Sequence, residues 1–369
     1  MKLSNLQRRR LANFRKNRRA LWSLRIFMTL FVLSLFAEFI ANDRPLLVSY
    51  RGEWHMPIFK TYTDKQFGGD FLTEAQYLDP DMKCLIRTGG LEACFDHPES
   101  VYADAADGIV DGIEIEKGWV IWPLLPYKFN TVDTLNVATA PSPPDRHHWL
   151  GTDDQARDVI ARIIYGFRIS ILFAIVVTVP SVLLGITAGA AQGYFGGTFD
   201  LIFQRFTEIW GSIPMLYVII LLSALFTMNF WILTGLLVLF GWNSLDGVVR
   251  AEFLRARNFE YVLAARALGV RDRTIMFRHV LPNAMVATIT MLPFLITGSI
   301  GTLTGLDFLG FGLPSSFPSL GELALQAKAH ITSLWLGFSA FVTIATMLSL
   351  LVFIFEGVRD AFDPRKIFR

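Results

Sequence analysis

Four uncharged stretches, Ile169–Phe199, Ile209–Leu245, Asn283–Leu306 and Ile331–Phe355, constrain this chain more than any other feature. A membrane-crossing helix needs roughly 20 mainly apolar residues, and every one of these runs is too long for a core strand. With 53% hydrophobic and 18% charged residues and a mean hydropathy of +0.42, the chain has too little polar side-chain surface to cover them in water. The expected class is therefore an all-α polytopic membrane protein.

The net charge of +2 hides a segregation of sign. Met1–Arg25 carries nine basic residues (Lys2, Arg8, Arg9, Arg10, Arg15, Lys16, Arg18, Arg19, Arg25) and no acid, whereas Asn42–Ile160 carries 20 acids against 10 bases. The positive-inside bias then puts residues 1–20 in the cytoplasm and residues 42–160 outside. Residues 21–41 are the first transmembrane helix, Leu21–Ala41. A secretory signal would also show a basic region before an apolar one, here Ile26–Ala37. Glu38 and the lack of a small-x-small cleavage pattern favour an uncleaved anchor.

Five further spans follow in residues 161–356: Ile169–Gln192, Phe203–Phe226, Phe230–Val248, Asn283–Leu306 and Ser333–Phe355. Thr227-Met-Asn229 is a tight outer connection. The inner loop 250–282 holds seven arginines (Arg250, Arg255, Arg257, Arg266, Arg271, Arg273, Arg278), and Arg365, Lys366 and Arg369 make 357–369 a basic tail. Six spans place both termini in the cytoplasm. Glu208 is an acid at a span end, and Arg205 one turn earlier is its expected local partner.

The outer segment mixes Gly, Pro, Asp and aromatics with little helical periodicity, which reads as a small irregular or β-rich insertion. Its Cys84 and Cys94, the only cysteines, lie where an oxidising compartment allows a disulfide, with Thr88-Gly89-Gly90 suited to the turn between them. There is no Cys-x-x-Cys. His147-His148 lacks a third ligand at useful spacing, so no metal site is expected.

The segment Asn258–Asn283 carries the most functional information. Glu260–Leu268 reads as a short helix with Tyr261, Ala265 and Leu268 on one face, Ala264 beside it and Arg266 in its last turn. Gly269 closes it as a C-terminal cap, Asp272 is positioned to N-cap the next helix, and Pro282 falls in the first turn of the following span. Such a helix–Gly–helix elbow is a suitable lever for an attached motor. It resembles the coupling loop of ABC importer permeases, with Ala264, Ala265, Gly269, Leu281 and Pro282 at the family spacing; Leu263 stands in place of the usual Glu and His279 in place of Ile. Leu150-Gly-Thr-Asp-Asp-Gln-Ala-Arg-Asp-Val with Arg162–Ser170, Phe308-Leu-Gly-Phe-Gly-Leu-Pro with Pro318-Ser-Leu-Gly-Glu, and Gly357–Arg365 resemble the oligopeptide and dipeptide branch. Ala156 stands where that branch has Gly. The added segment Leu46–Thr139 is similar to the enlarged first loop of the microcin C and Yej-type peptide permeases.

This resemblance implies six transmembrane helices of the importer-permease type with an inserted periplasmic domain of mixed or irregular structure, in a bacterial inner membrane. It also implies a second permease subunit as heterodimer partner, two ATP-binding subunits or one fused double ATPase, and a periplasmic peptide-binding protein. Peptide is the expected cargo; nickel or another small solute is the alternative. No Gly-x-x-x-x-Gly-Lys-Ser/Thr loop occurs in the chain. ATP and Mg therefore belong to the partner ATPases, no cofactor is expected on this chain, and neither an enzyme site nor a nucleic-acid partner is read. An ion-gradient transporter would carry buried ionisable residues in its spans, and few are seen. Pro180, Pro214 and Pro293, with Thr297 and Ser299, suggest a weakly polar translocation path, since helix breaks are tolerated where backbone lines a cavity.

Overall fold

The structure, a computed structural model, describes residues 5–106, 108–110 and 113–362. Lys2 and the basic tail residues Arg365, Lys366 and Arg369 lie outside them, as does the end of the Gly357–Arg365 motif. The chain divides into two compact units, one of Val32–Tyr165 and one of Met1–Phe31 with Gly166–Arg369.

The Val32–Tyr165 unit is mixed α and β rather than irregular. Strand Leu47–Tyr50 lies between Glu53–His55 and Trp119–Ile121, antiparallel to both, with Ser49 opposite Trp54 on one side and Trp119 on the other. Period-2 alternation turns Val48 and Tyr50 inward onto Phe67, Tyr77, Met82 and Ile86. The helix Pro80–Thr88 starts with Pro in its first turn and ends on Gly89, whose φ of 73° accommodates the left-handed cap. Its Cys84 is disulfide-bonded to Cys94, and both are fully buried beside Leu85, Val101 and Val110. The sequence showed no helix here because a single helix of nine residues is too short to impose a clear period.

The Leu150–Val159 motif folds into a buried ionic cluster in the same unit. Asp153 accepts from Arg157 Nε at 2.7 Å and faces Arg162 Nε at 3.4 Å. Asp158 precedes the helix and accepts from the Ala161 N–H at 2.8 Å, an N-cap. Its other oxygen meets His148 Nδ1 at 3.0 Å, while Asp133 meets His148 Nε2 at 3.3 Å. Burial alone would push the His148 pKa down, but these two carboxylates more than offset it and hold it at about 9. Ala156, where Gly was the family residue, sits at φ 56° in the left-handed region, the conformation that Gly adopts without steric penalty.

The other unit is helical. Among the described residues, four helices are long and apolar enough to cross a membrane: Val159–Phe195, whose first turns belong to the Val32–Tyr165 unit, Phe230–Ala256, Asp272–Phe308 and Leu334–Phe362. The pair Gly197–Ser212 and Met215–Leu225, bent by 62°, makes a fifth crossing if counted as one span. Ile213 is extended, as a residue before proline tends to be, so Pro214 breaks the third expected span outright instead of sitting inside it. The first expected span is the 18-residue helix Arg18–Leu35, a turn at Phe36, and Ala37–Ile40. With Arg18, Arg19 and Arg25 in its first half, this helix is not among the four. Asn229 caps the Phe230 helix through bonds of 3.0 and 2.9 Å from Trp231 and Ile232 N–H.

Candidate functional site

The elbow is narrower than loop 250–282. Helix Phe230–Ala256 enters it eight residues beyond the expected span end at Val248, and Asp272–Phe308 leaves it as one continuous helix. Between them lies the short helix Glu260–Ala267. It ends in a Schellman cap: Gly269 N–H bonds Arg266 O at 3.0 Å and Val270 N–H bonds Ala265 O at 3.1 Å. Gly269 has φ 72°, and an added Cβ there would meet nothing within 4 Å. Glycine is required for its conformation, not for space.

One expectation is corrected. Arg271, not Asp272, is the N-cap residue; Asp272 is the first helical residue, where its charge still complements the helix N-terminus. Pro282 falls in the first turn of the α-helix Leu281–Phe308, which continues without a break the winding that begins at Asp272. Immediately before its first turn, Ile275–Val280 forms a π-helical segment, the wider winding that relieves the strain of a proline without an N–H.

The elbow helix is anchored by one face. Val262 is fully buried, and Ala265, Val270 and Leu281 pack with it against Tyr194, Phe253, Ile275 and Val280. Tyr261, Ala264, Arg266 and Leu268 face outward. Leu268 is 83% exposed at the tip, with Leu263, Phe259 and Tyr261 forming apolar surface beside it. Tyr261 also accepts a hydrogen bond from Asn283 Nδ2 at 3.3 Å.

Several contacts that hold the elbow were not read from sequence. Gly185, Gly189 and Gly193 line the Val159 helix where it crosses the Phe230 helix. A Cβ on Gly185 would lie 2.7 Å from Trp242 O and one on Gly193 2.5 Å from Arg250 O, with Asp246 O blocking Gly189 equally closely. This is the small-xxx-small packing by which helices approach in lipid, and the four-residue spacing of glycines was its available signal. Gln192 Nε2 reaches Asp246 Oδ1 at 2.5 Å, and Arg250 bonds Asp200 at 2.5 and 2.7 Å. Asp200, Asp246 and Asp307 are buried, so span helices hold more buried acids than the sequence suggested. Glu208 pairs with Arg205 at 2.6 Å on an exposed face, a contact worth about 1 kcal/mol or less.

The candidate path residues divide between two cavities. One of about 300 Å³ is lined by Thr178, Ser181, Ser299 and Thr302 together with Met215 and Phe294. Thr178 and Ser299 hydroxyls lie 3.4 Å apart, and the Ser181 and Ser299 hydroxyls donate to carbonyls four residues back, both at 2.8 Å. The other, of about 310 Å³, is lined by Pro293, Thr297, Glu356 and Arg359 among others, with Phe294 common to both. Pro180 and Pro214 line neither. Among the described residues, no group of three or more His, Cys, Asp or Glu is placed to hold a metal ion.

Residues 181–368 match the family described as binding-protein-dependent transport system inner membrane component. The chain is 50% identical over 99% of its length, and 99% of the relative's, to an inner membrane ABC transporter permease protein YejE of Escherichia coli. It is 49% identical to a peptidoglycan transport system permease protein YejE of Agrobacterium fabrum, over 98% of this chain and 94% of that one. An oligopeptide transport system permease protein OppC of Bacillus subtilis is 33% identical over 65% of this chain and 78% of its own. With the family match over half of its length, a relative 50% identical end to end and multiple apolar helices, this chain belongs to the binding-protein-dependent ABC importer permeases as an inner-membrane component.

Proposed function

We propose that this chain is one of two permease subunits of an ATP-driven peptide importer. Peptide, delivered outside by a binding protein, passes between it and a second permease, and ATP bound with Mg by partner ATPases closes those partners against the elbow. The observation that carries the reading is the outward face of Glu260–Ala267: an apolar tip, Leu268, rests on a helix whose two arms run directly into membrane-crossing helices. A push on that tip has a covalent route into the bilayer on both sides. Both termini are then cytoplasmic and residues 42–160 periplasmic. Peptide cargo is favoured by the relatives, of which one is named for oligopeptide and another for peptidoglycan transport. Short peptides, including those carried on cell-wall fragments, are the expected class.

Gly269→Asp tests the docking role. A non-glycine residue at this φ costs about 1 kcal/mol, too little to unfold a chain with several kcal/mol of stability, and the new side chain points into open space. We expect normal insertion with peptide uptake reduced to background in a reconstituted complex. Wild-type uptake in this variant would count against the elbow as the site of coupling.

A further inference from the structure

We propose that Tyr194, Asp272 and Arg266 form a latch that locks the elbow helix to the Val159–Phe195 helix, making that helix the third arm of the lever. The inference rests on the elbow being the ATPase docking site. The elbow has two covalent arms, the Phe230 and Asp272 helices. The Val159 helix is remote in sequence, with Tyr194 and Asp272 separated by 78 residues, yet its last turn meets the elbow. Tyr194 is 3% exposed and donates its hydroxyl to Asp272 Oδ1 at 2.5 Å. The Arg266 guanidinium, from the elbow helix, lies over the same ring at 5.1 Å from its centroid. One phenol thus gathers a residue from the elbow helix and the first residue of the outgoing arm.

This geometry matters because the Val159 helix reaches the cavity. Thr178 is sixteen residues before Tyr194, about 24 Å along the helix at 1.5 Å per residue, and it faces Ser299 of the Asp272 helix. The glycine contacts and the Gln192–Asp246 bond fasten the same helix to the incoming arm. A displaced elbow therefore moves both cavity walls together while the latch holds. With the latch cut, the Asp272 arm can shift without carrying the Val159 helix. Tyr194, Asp272 and Arg266 are positioning residues that set how much of the ATPase stroke reaches the path.

Tyr194→Phe removes the hydroxyl and keeps the ring for Arg266; Asp272→Asn weakens the acceptor with little change of shape. Both are introduced into the complete complex with its ATPases and reconstituted in vesicles, and peptide transported per ATP hydrolysed is measured. The latch predicts intact complexes that still hydrolyse ATP, with transport per ATP down about tenfold, the factor that matches loss of one charge-assisted hydrogen bond. The double variant should be no worse than either single one, because both cut the same bond. Unchanged transport per ATP in Tyr194→Phe, or additive losses in the double variant, overturns the latch. A parallel Leu268→Cys crosslink separates the two readings. Crosslinking to the ATPase with unchanged transport per ATP overturns the latch alone, and no crosslink in the parent complex overturns the docking reading and the latch with it.

Discussion

At the scale of residues, the Val32–Tyr165 unit depends on an ion cluster that excludes water. His148 is fully buried between Asp133 and Asp158, and its pKa of about 9 lies above its ordinary value of 6.5. Because the folded state holds the proton more tightly, the contribution to stability is full below pH 6.5 and is lost as pH rises through about 9. Thermal stability of this unit should therefore fall between about pH 6.5 and 9, followed by differential scanning fluorimetry, and His148→Gln should flatten that fall. Removing one partner of a buried ion pair costs about 3–5 kcal/mol, so His148→Gln should also lower the melting temperature at pH 7. Ala156 offers the reverse test. A left-handed alanine is strained by about 1 kcal/mol, and Ala156→Gly should stabilise the protein by roughly that amount in a denaturant titration. A neutral or destabilising result would assign the strain to somewhere other than φ 56°.

At the scale of elements, the elbow is held in place because its supports approach closely. Gly189 faces the backbone of the Phe230 helix with no room for a side chain, so Gly189→Leu must push the two helices apart. Overpacking a close contact costs about 1–3 kcal/mol or more. The expected outcome is a protein that inserts poorly and loses its partner subunits on purification, whereas Gly235→Leu, with open space around it, should behave as the parent. Much of this arrangement was legible in the sequence. Uncharged runs gave four of the helices, and Gly269 was legible as the C-terminal cap of the elbow helix. The 62° break at Ile213–Pro214, the π-helical segment before Pro282 and the Asp272 partner of Tyr194 were not legible. Proline permits a kink, a bend or a broken helix, and neighbouring helices decide which. A tyrosine's partner 78 residues away leaves no trace in local periodicity.

At the scale of the whole molecule, the proposed lever lies in the helical unit, and the Val32–Tyr165 unit is a folded body held by a disulfide, a three-stranded sheet and the His148 cluster. The account stands on one mechanical claim: the exposed tip at Leu268 is pushed by a separate nucleotide-hydrolysing protein. The most direct measurement is site-specific crosslinking of Leu268→Cys in the purified complex, in which the natural cysteines are already bonded to each other. The account predicts a crosslink to an ATPase subunit whose yield changes on adding ATP, with labelling of the same cysteine only from the cytoplasmic side. Labelling from outside, or a functional complex containing no such subunit, would contradict it.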